Sequence, residues 1–329
     1  IYALFRALRF SPFDNPLAVP RLMLDNNFFL IEDLFISGSN ITKYKPGTVI
    51  RCVTDEIVVS TLSKNITIRK VMDSTGQHIP LIDIIQKHQL HPGKIISSLN
   101  KALGIKIQTL HQQIGKKENF WKKHCAKTAI RELPNWKSME TAEKHVKHLH
   151  IYKPKGTQDF LDKHGYNSSQ VLFTLFAIYL VRVGSTEPFS IAYSSKSHLN
   201  KVKDMEFYFE SHVPFHINIE SETTTFSEFY QNIKSQQGFL EKYYCYTKDF
   251  TFRRIELKKV LPILSELPRK VAIREISSLT QLDVLNRADI ELLITDPDSE
   301  EWGMIAYRPD KVQTEAMERA VRNLETLMK

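Results

Sequence analysis

The chain has 329 residues, of which 25% are charged and 42% hydrophobic. That balance is ordinary for a globular protein with a sizeable core and excludes disorder over most of the length. The net charge is +8, but Lys and Arg are spread along the chain, so the charge permits an anionic partner without marking a nucleic-acid site. Cys52, Cys125 and Cys245 follow no CxxC spacing, which argues against a zinc site or a disulfide framework and fits a reducing cytoplasm. The longest apolar run, Val171 to Val183, is broken by Thr174 and Arg182 and is too short for a bilayer. A cytoplasmic protein with no membrane association is expected.

In chain order, "IYALFRALRF" reads as a helix entered in its middle, as expected either of a processed protein or of an excerpt of a longer chain. A Pro-rich turn follows, in which Pro12, Pro16 and Pro20 preclude regular helix. Strands are predicted at Asn27 to Ile36, Thr48 to Val53, Ile57 to Thr61 and Ile66 to Val71. Ser63 to Asn65 form a hairpin turn, and Pro46-Gly47 and Pro92-Gly93 punctuate strand entry. Short strands at hairpin spacing predict a small β-barrel.

Residues 100–150 differ in character. "KKENFWKKHCAK" is basic and helical and "RELPNW" breaks it, so a linker and crossover is expected. From Ile151 the pattern becomes α+β. Asn167 or Ser168 caps a helix that ends at Gly184 and is apolar nearly all round, hence buried. Thr225 and Glu228 have capping-box spacing at the start of a second helix. Strands are predicted at Phe189 to Ala192, Val213 to Ile219, Val271 to Ile276, Ile290 to Thr295 and Trp302 to Tyr307, and a last helix at Thr314 to Met328. The domains are therefore expected at 1–105, 106–150 (linker) and 151–329.

Chemistry-bearing patterns are sparse. His145, His148 and His150 stand at i, i+3 and i+5, not at the i, i+4 spacing of a zinc helix, so no metal is expected there. GxSxG, Walker A and GxGxxG are all absent from the sequence. Asp249 and Arg253 lie at i, i+4, the spacing of a local salt bridge. His212 and His216 in "SHVPFH" are the candidate general bases. Alternation along that strand is expected to bury only one of them, and neither has a visible partner.

Two resemblances say more. Over residues 1–105, "IYALFRALRF", "KPGTVI" and "HPGKII" resemble the tail of a formyltransferase of the methionyl-tRNA formyltransferase type. Arg6, Ala7, Leu8, Pro46, Gly47, Thr48, Gly76 and Gly93 carry the match. It implies an OB-like accessory barrel that holds substrate, and the formyl-transfer residues of that family belong to a domain upstream of it. "FSPFDNPLAVPRLML" is more similar to formyltransferase-type domains fused to nonribosomal peptide synthetases.

Over residues 118–329, "ENFWKKHCAKTAIRELPNW" and "FYFESHVPFHINIESETTTFSEFYQNI" resemble the crossover and second lobe of a condensation domain, whose fold is of the chloramphenicol acetyltransferase type. Phe207, Ser211 and His216 stand where that pattern has Gly, Asn and Arg. HHxxxDG, on which condensation depends, is absent, and the crossover follows the barrel almost directly. The resemblances imply an α+β chain: a small barrel, then a half condensation-like lobe without catalysis. They imply a carrier protein and neighbouring synthetase domains as partners. Formyl-tetrahydrofolate, ATP and a phosphopantetheine-bearing carrier would serve the full assembly, with no cofactor on this chain. The alternatives are a weak RNA-binding accessory region and a stand-alone acyltransferase with an atypical site.

Overall fold

The computed structural model describes residues 1–10, 13–25, 27–37, 44–132, 145–184, 187–218, 224–276, 288–295 and 300–327. They form two compact units. The first comprises Ile1–Lys122, Asp204–Glu210 and Tyr246–Pro262, and the second Lys123–Lys203, Ser211–Cys245 and Ile263–Lys329.

In the first unit, α1 (Tyr2–Ala7) precedes β1 (Arg21–Leu24), β2 (Asn27–Ser37), β3 (Val49–Val53), β4 (Glu56–Ser60), β5 (Asn65–Met72) and β6 (His78–Ile79). The sheet is antiparallel, in the order β1-β2-β5-β4-β3 with β6 on β5, and makes a half-barrel. The predicted strands appear within one or two residues. β1 falls where only a turn and its exit were expected, because four residues followed by the left-handed Asp25 (φ +50°) are too few to show a period.

Gly47 explains the Pro-Gly signal. Its φ is +88°, and a Cβ there would lie 3.3 Å from the Ile96 carbonyl oxygen. Its own N–H and C=O bond Ser60 and Ile96, so the turn ties the β3 entrance to the segment after Gly93. Leu22, Leu34, Val49, Ile57, Ile68 and Val71 fill the core, with Ile84 of α2 (Leu81–Lys87) packed among them.

The stretch expected to be a linker holds two helices, α3 (Lys101–Gly115) and α4 (Glu118–Cys125). Ile107, Leu110, Ile114 and Trp121 on them are buried. The segment 246–262 supplies α9 (Phe250–Arg253) and a 3₁₀ turn at Ile255–Leu257.

The second unit contains β7 (Lys147–Tyr152), α5 (Thr157–His164), α6 (Ser168–Val183), β8 (Phe189–Ser194), α7 (Lys196–Val202), β9 (Val213–Ile217) and α8 (Phe226–Tyr243). These are followed by α10 (Leu261–Lys270), β10 (Val271–Glu275), β11 (Ile290–Ile294), β12 (Glu301–Tyr307) and α11 (Thr314–Thr326). The sheet order is β7-β12-β11-β10-β8-β9, with β10 parallel to both β8 and β11 and the other pairs antiparallel. Asn167 caps α6 by accepting from Gln170 N–H, and Thr225 with Glu228 forms the expected capping box on α8.

One face of this sheet is apolar and lies under α6. A Cβ on Gly303 would lie 2.8 Å from Leu172 of that helix and 2.6 Å from the Leu293 carbonyl oxygen, which is why β12 has glycine there. Ile290, Leu292 and Ile294 share that face with Ile305 and Tyr307 by register. Among the described residues no helix is long and apolar enough to cross a membrane.

Candidate functional site

The four candidate residues fall into two groups, Asp249 and Arg253 in the first unit and His212 and His216 in the second.

Asp249 and Arg253 do form the i, i+4 ion pair, Oδ2 to Nε at 3.2 Å, but the pair is the centre of a larger buried network. Arg21 Nη2 reaches Asp249 Oδ2 at 2.5 Å, and its guanidinium stacks over Tyr208 at 4.2 Å and Phe28 at 5.1 Å. Arg253 donates to Glu118 Oε1 at 2.7 Å and to the Asn15 carbonyl at 2.9 Å. Arg254 also pairs with Glu118. Burial alone would push the Asp249 carboxyl up, but Arg21 and Arg253 reverse this and hold it below the usual carboxylate range. A charge so fully compensated binds its own neighbours. It fastens segment 246–262, helix α4 and the Asn15 loop to the half-barrel.

The second group lies on the face of the second sheet opposite α6. Register places Ser190 beside His216, Ala192 beside Pro214, and Ala272 beside Glu291 on this face, with Ser194 beside Arg274. Both histidines are half-buried, contrary to the expectation that alternation would bury only one. Positions four apart on a strand share a face, and His212 in any case precedes the first strand residue. Both also have partners, which the sequence did not reveal.

His216 Nε2–H donates to the His124 carbonyl at 3.1 Å, so its Nδ1 accepts from the Ser190 hydroxyl at 2.9 Å. The His124 ring packs against it, tilted by 46° with centroids 4.2 Å apart, and donates to the Pro214 carbonyl at 2.7 Å. His212 Nε2 accepts from Arg274 Nη2 at 3.0 Å and its Nδ1 bonds Ser211 Oγ at 3.0 Å. Arg274 in turn pairs with Glu291 at 2.9 Å. With both ring nitrogens engaged, neither histidine presents a free lone pair to an acyl acceptor.

Burial, and then the neighbouring His124, push the His216 pKa down to about 4. The unfolded chain therefore binds a proton between an ordinary histidine pKa and about 4 that the folded chain refuses. Stability is complete above the unfolded value and falls as pH drops through that window. The loss should reach about 3 kcal/mol at the acid end. Urea unfolding from neutral to acid pH should give a flatter slope for His216→Asn than for the parent; equal slopes would remove His216 as the cause.

Of the histidine triplet, His148 and His150 lie on β7, and His150 Nδ1 pairs with Glu301 Oε1 at 2.6 Å. No group of three His, Cys, Asp or Glu among the described residues could hold a metal ion. Sequence reading missed Arg21, Glu118, Ser190, Arg274 and Glu291. The signal for the last two was present, as charges set inside two otherwise apolar strand runs, "VAIREI" and "DIELLI".

No family model matches the chain, and no curated protein matches it. Solved structures do. The rhombohedral form of the EpoB nonribosomal peptide synthetase cyclization-docking bidomain from Sorangium cellulosum matches with a TM-score of 0.51 at 12% identity, over 84% of this chain and 62% of that one. Its monoclinic form gives a TM-score of 0.51 at 13%, over 85% and 64%. The complex of the X-domain and OxyB from teicoplanin biosynthesis gives 0.43 at 15%, over 81% and 68%. The chain thus spans less than two thirds of the bidomain it matches. The matched share of this chain is larger than residues 118–329, so the likeness takes in part of the first unit as well. At these identities the likeness is one of fold, and the fold of this chain is a mixed α+β one resembling the lobes of condensation-like domains of peptide synthetases.

Proposed function

We propose that this chain is a non-catalytic docking part of a nonribosomal peptide synthetase loading or formylation module. In this reading it positions a formyltransferase-like or adenylation domain against a carrier protein. The observation that carries it is the closed hydrogen bonding of His212 and His216 on a sheet of condensation-like fold, together with the absence of HHxxxDG. The half-barrel supplies the formyltransferase side of the reading through its sequence motifs alone, Arg6 to Leu8, Pro46 to Thr48, Gly76 and Gly93. Formyl-tetrahydrofolate and ATP belong to other domains of the assembly, and phosphopantetheine arrives on the carrier. The net charge of +8 suits an acidic carrier surface and makes binding salt-sensitive.

The test is a titration of isotope-labelled, phosphopantetheine-loaded carrier protein with the purified chain, run beside an acyl-transfer assay. Carrier resonances should shift at low salt and recover at high salt, no acyl transfer should occur, and the His212→Ala/His216→Ala double variant should bind as well as the parent. Acyl transfer by the chain that is lost in the double variant would overturn the reading. Binding of tRNA with a steep salt dependence, and none of carrier, would replace it with the RNA-binding alternative.

A further inference from the structure

The first unit contains a cleft that its charge network does not use. Its volume is about 360 Å³, within the range of small-molecule sites. Val19, Ile31, Met72 and Phe252 give it an apolar lining, and Arg9, Lys258 and Glu32 add charge to it. Asn15 and Arg253 also line it, but both are engaged elsewhere. Asn15 donates to Leu8 and Ala18 carbonyls and accepts from Leu17 and Ala18 N–H, while Arg253 is held by Asp249, Glu118 and Asn15.

Three features point to a ligand with an apolar body and an anionic end. Arg9 and Lys258 are exposed and, among the described residues, have no carboxylate at ion-pair distance. Glu32, the one acid of the lining, lies with Oε2 3.4 Å from His78 Nδ1 and pairs with neither cation. The wall is also fixed in advance. The Asn15 side chain ties Leu8 to Leu17 and Ala18, Asn15 N–H bonds the Arg253 carbonyl, and Asp14 Oδ1 accepts from Ile255 N–H at 2.8 Å. Preorganised walls lower the ordering cost of binding. Phe13 at the cleft is 74% exposed, an aromatic placed to cover an apolar guest.

We infer that this cleft binds a small amphipathic carboxylic acid, its alkyl or aryl body on Phe252 and Met72 and its carboxylate held by Arg9 and Lys258. The inference stands apart from the docking role proposed above.

Calorimetric titration of the whole chain with decanoate and with 4-phenylbutyrate tests it, using 4-phenylbutyramide as the neutral control. Either acid should bind, the amide should not, and Arg9→Gln/Lys258→Gln should raise Kd about tenfold or more. Both positions are exposed, so circular dichroism of the variant should match the parent. No binding of either acid up to millimolar concentration, equal binding by the amide, or an unchanged Kd in the double variant would each overturn the assignment.

Discussion

Replacing Arg253 by Met should destabilise the first unit by about 3–5 kcal/mol, the cost of removing one partner from a buried ion pair. The side chain of Arg253 is 1% exposed and that of Asp249 is fully buried, so water does not replace the lost charge. Among the described residues, removal leaves Arg21 as the one counter-charge of Asp249 and Arg254 as that of Glu118, and the Asn15 carbonyl loses its guanidinium donor. Arg253→Lys should recover part of the loss, since it keeps the charge but not the fork that reaches three acceptors at once. The contrast is Arg322→Ala, which removes an exposed pair with Glu318 at 4.0 Å and should cost less than about 1 kcal/mol. Urea unfolding followed by tryptophan fluorescence reads both units, through buried Trp121 in the first and buried Trp302 in the second. A loss for Arg253→Met as small as that for Arg322→Ala would mean that the network is hydrated and contributes little.

This network also marks where sequence reading stops. The Asp249–Arg253 spacing was legible because i, i+4 is a local relation on a helix. Arg21 and Glu118 were not, because they reach Asp249 and Arg253 from more than two hundred and more than one hundred residues away. Helix caps at Asn167 and Thr225 and the Gly47 turn were read correctly for the same reason: each is closed within four residues or fixed by one backbone angle. The linker reading of 106–150 hid α3, whose buried residues Ile107, Leu110 and Ile114 do follow a helical spacing but are separated by polar side chains. β7, six residues long at the sheet edge with mostly exposed side chains, gave little more than its histidines.

The polar face of the second sheet shows the same division. "SHVPFH" identified the histidines, but their partners come from other elements: Ser190 and Arg274 from strands whose adjacency depends on the order β10-β8-β9, and His124 from α4. A strand order of this kind, with β10 between two parallel neighbours, requires crossovers that no local pattern encodes. Once the order is known, the placement follows from parity alone, and Arg274 and Glu291 must share the face that carries His216.

That shared face makes the Arg274–Glu291 pair the second place where one substitution should have a large effect. The side chains are 5% and 2% exposed, and among the described residues Glu291 has no other counter-charge. Burial pushes the Glu291 carboxyl up and the Arg274 guanidinium down, while each partner opposes the shift of the other. Arg274→Met should cost about 3–5 kcal/mol at neutral pH, because a buried carboxylate is left uncompensated. The loss should shrink on acidification. Without Arg274 the folded Glu291 pKa rises further above its unfolded value, so the folded state holds a proton that the unfolded state has released, and stability declines as pH rises through that interval. Arg274→Met/Glu291→Leu should regain most of the lost stability, since an apolar pair of similar volume needs no desolvation of charge. Thermal unfolding of the two single variants and the double variant completes the cycle. Additive losses in the double variant would show that the two side chains act separately. A double variant near the parent would show that each side chain serves chiefly to compensate the other's buried charge.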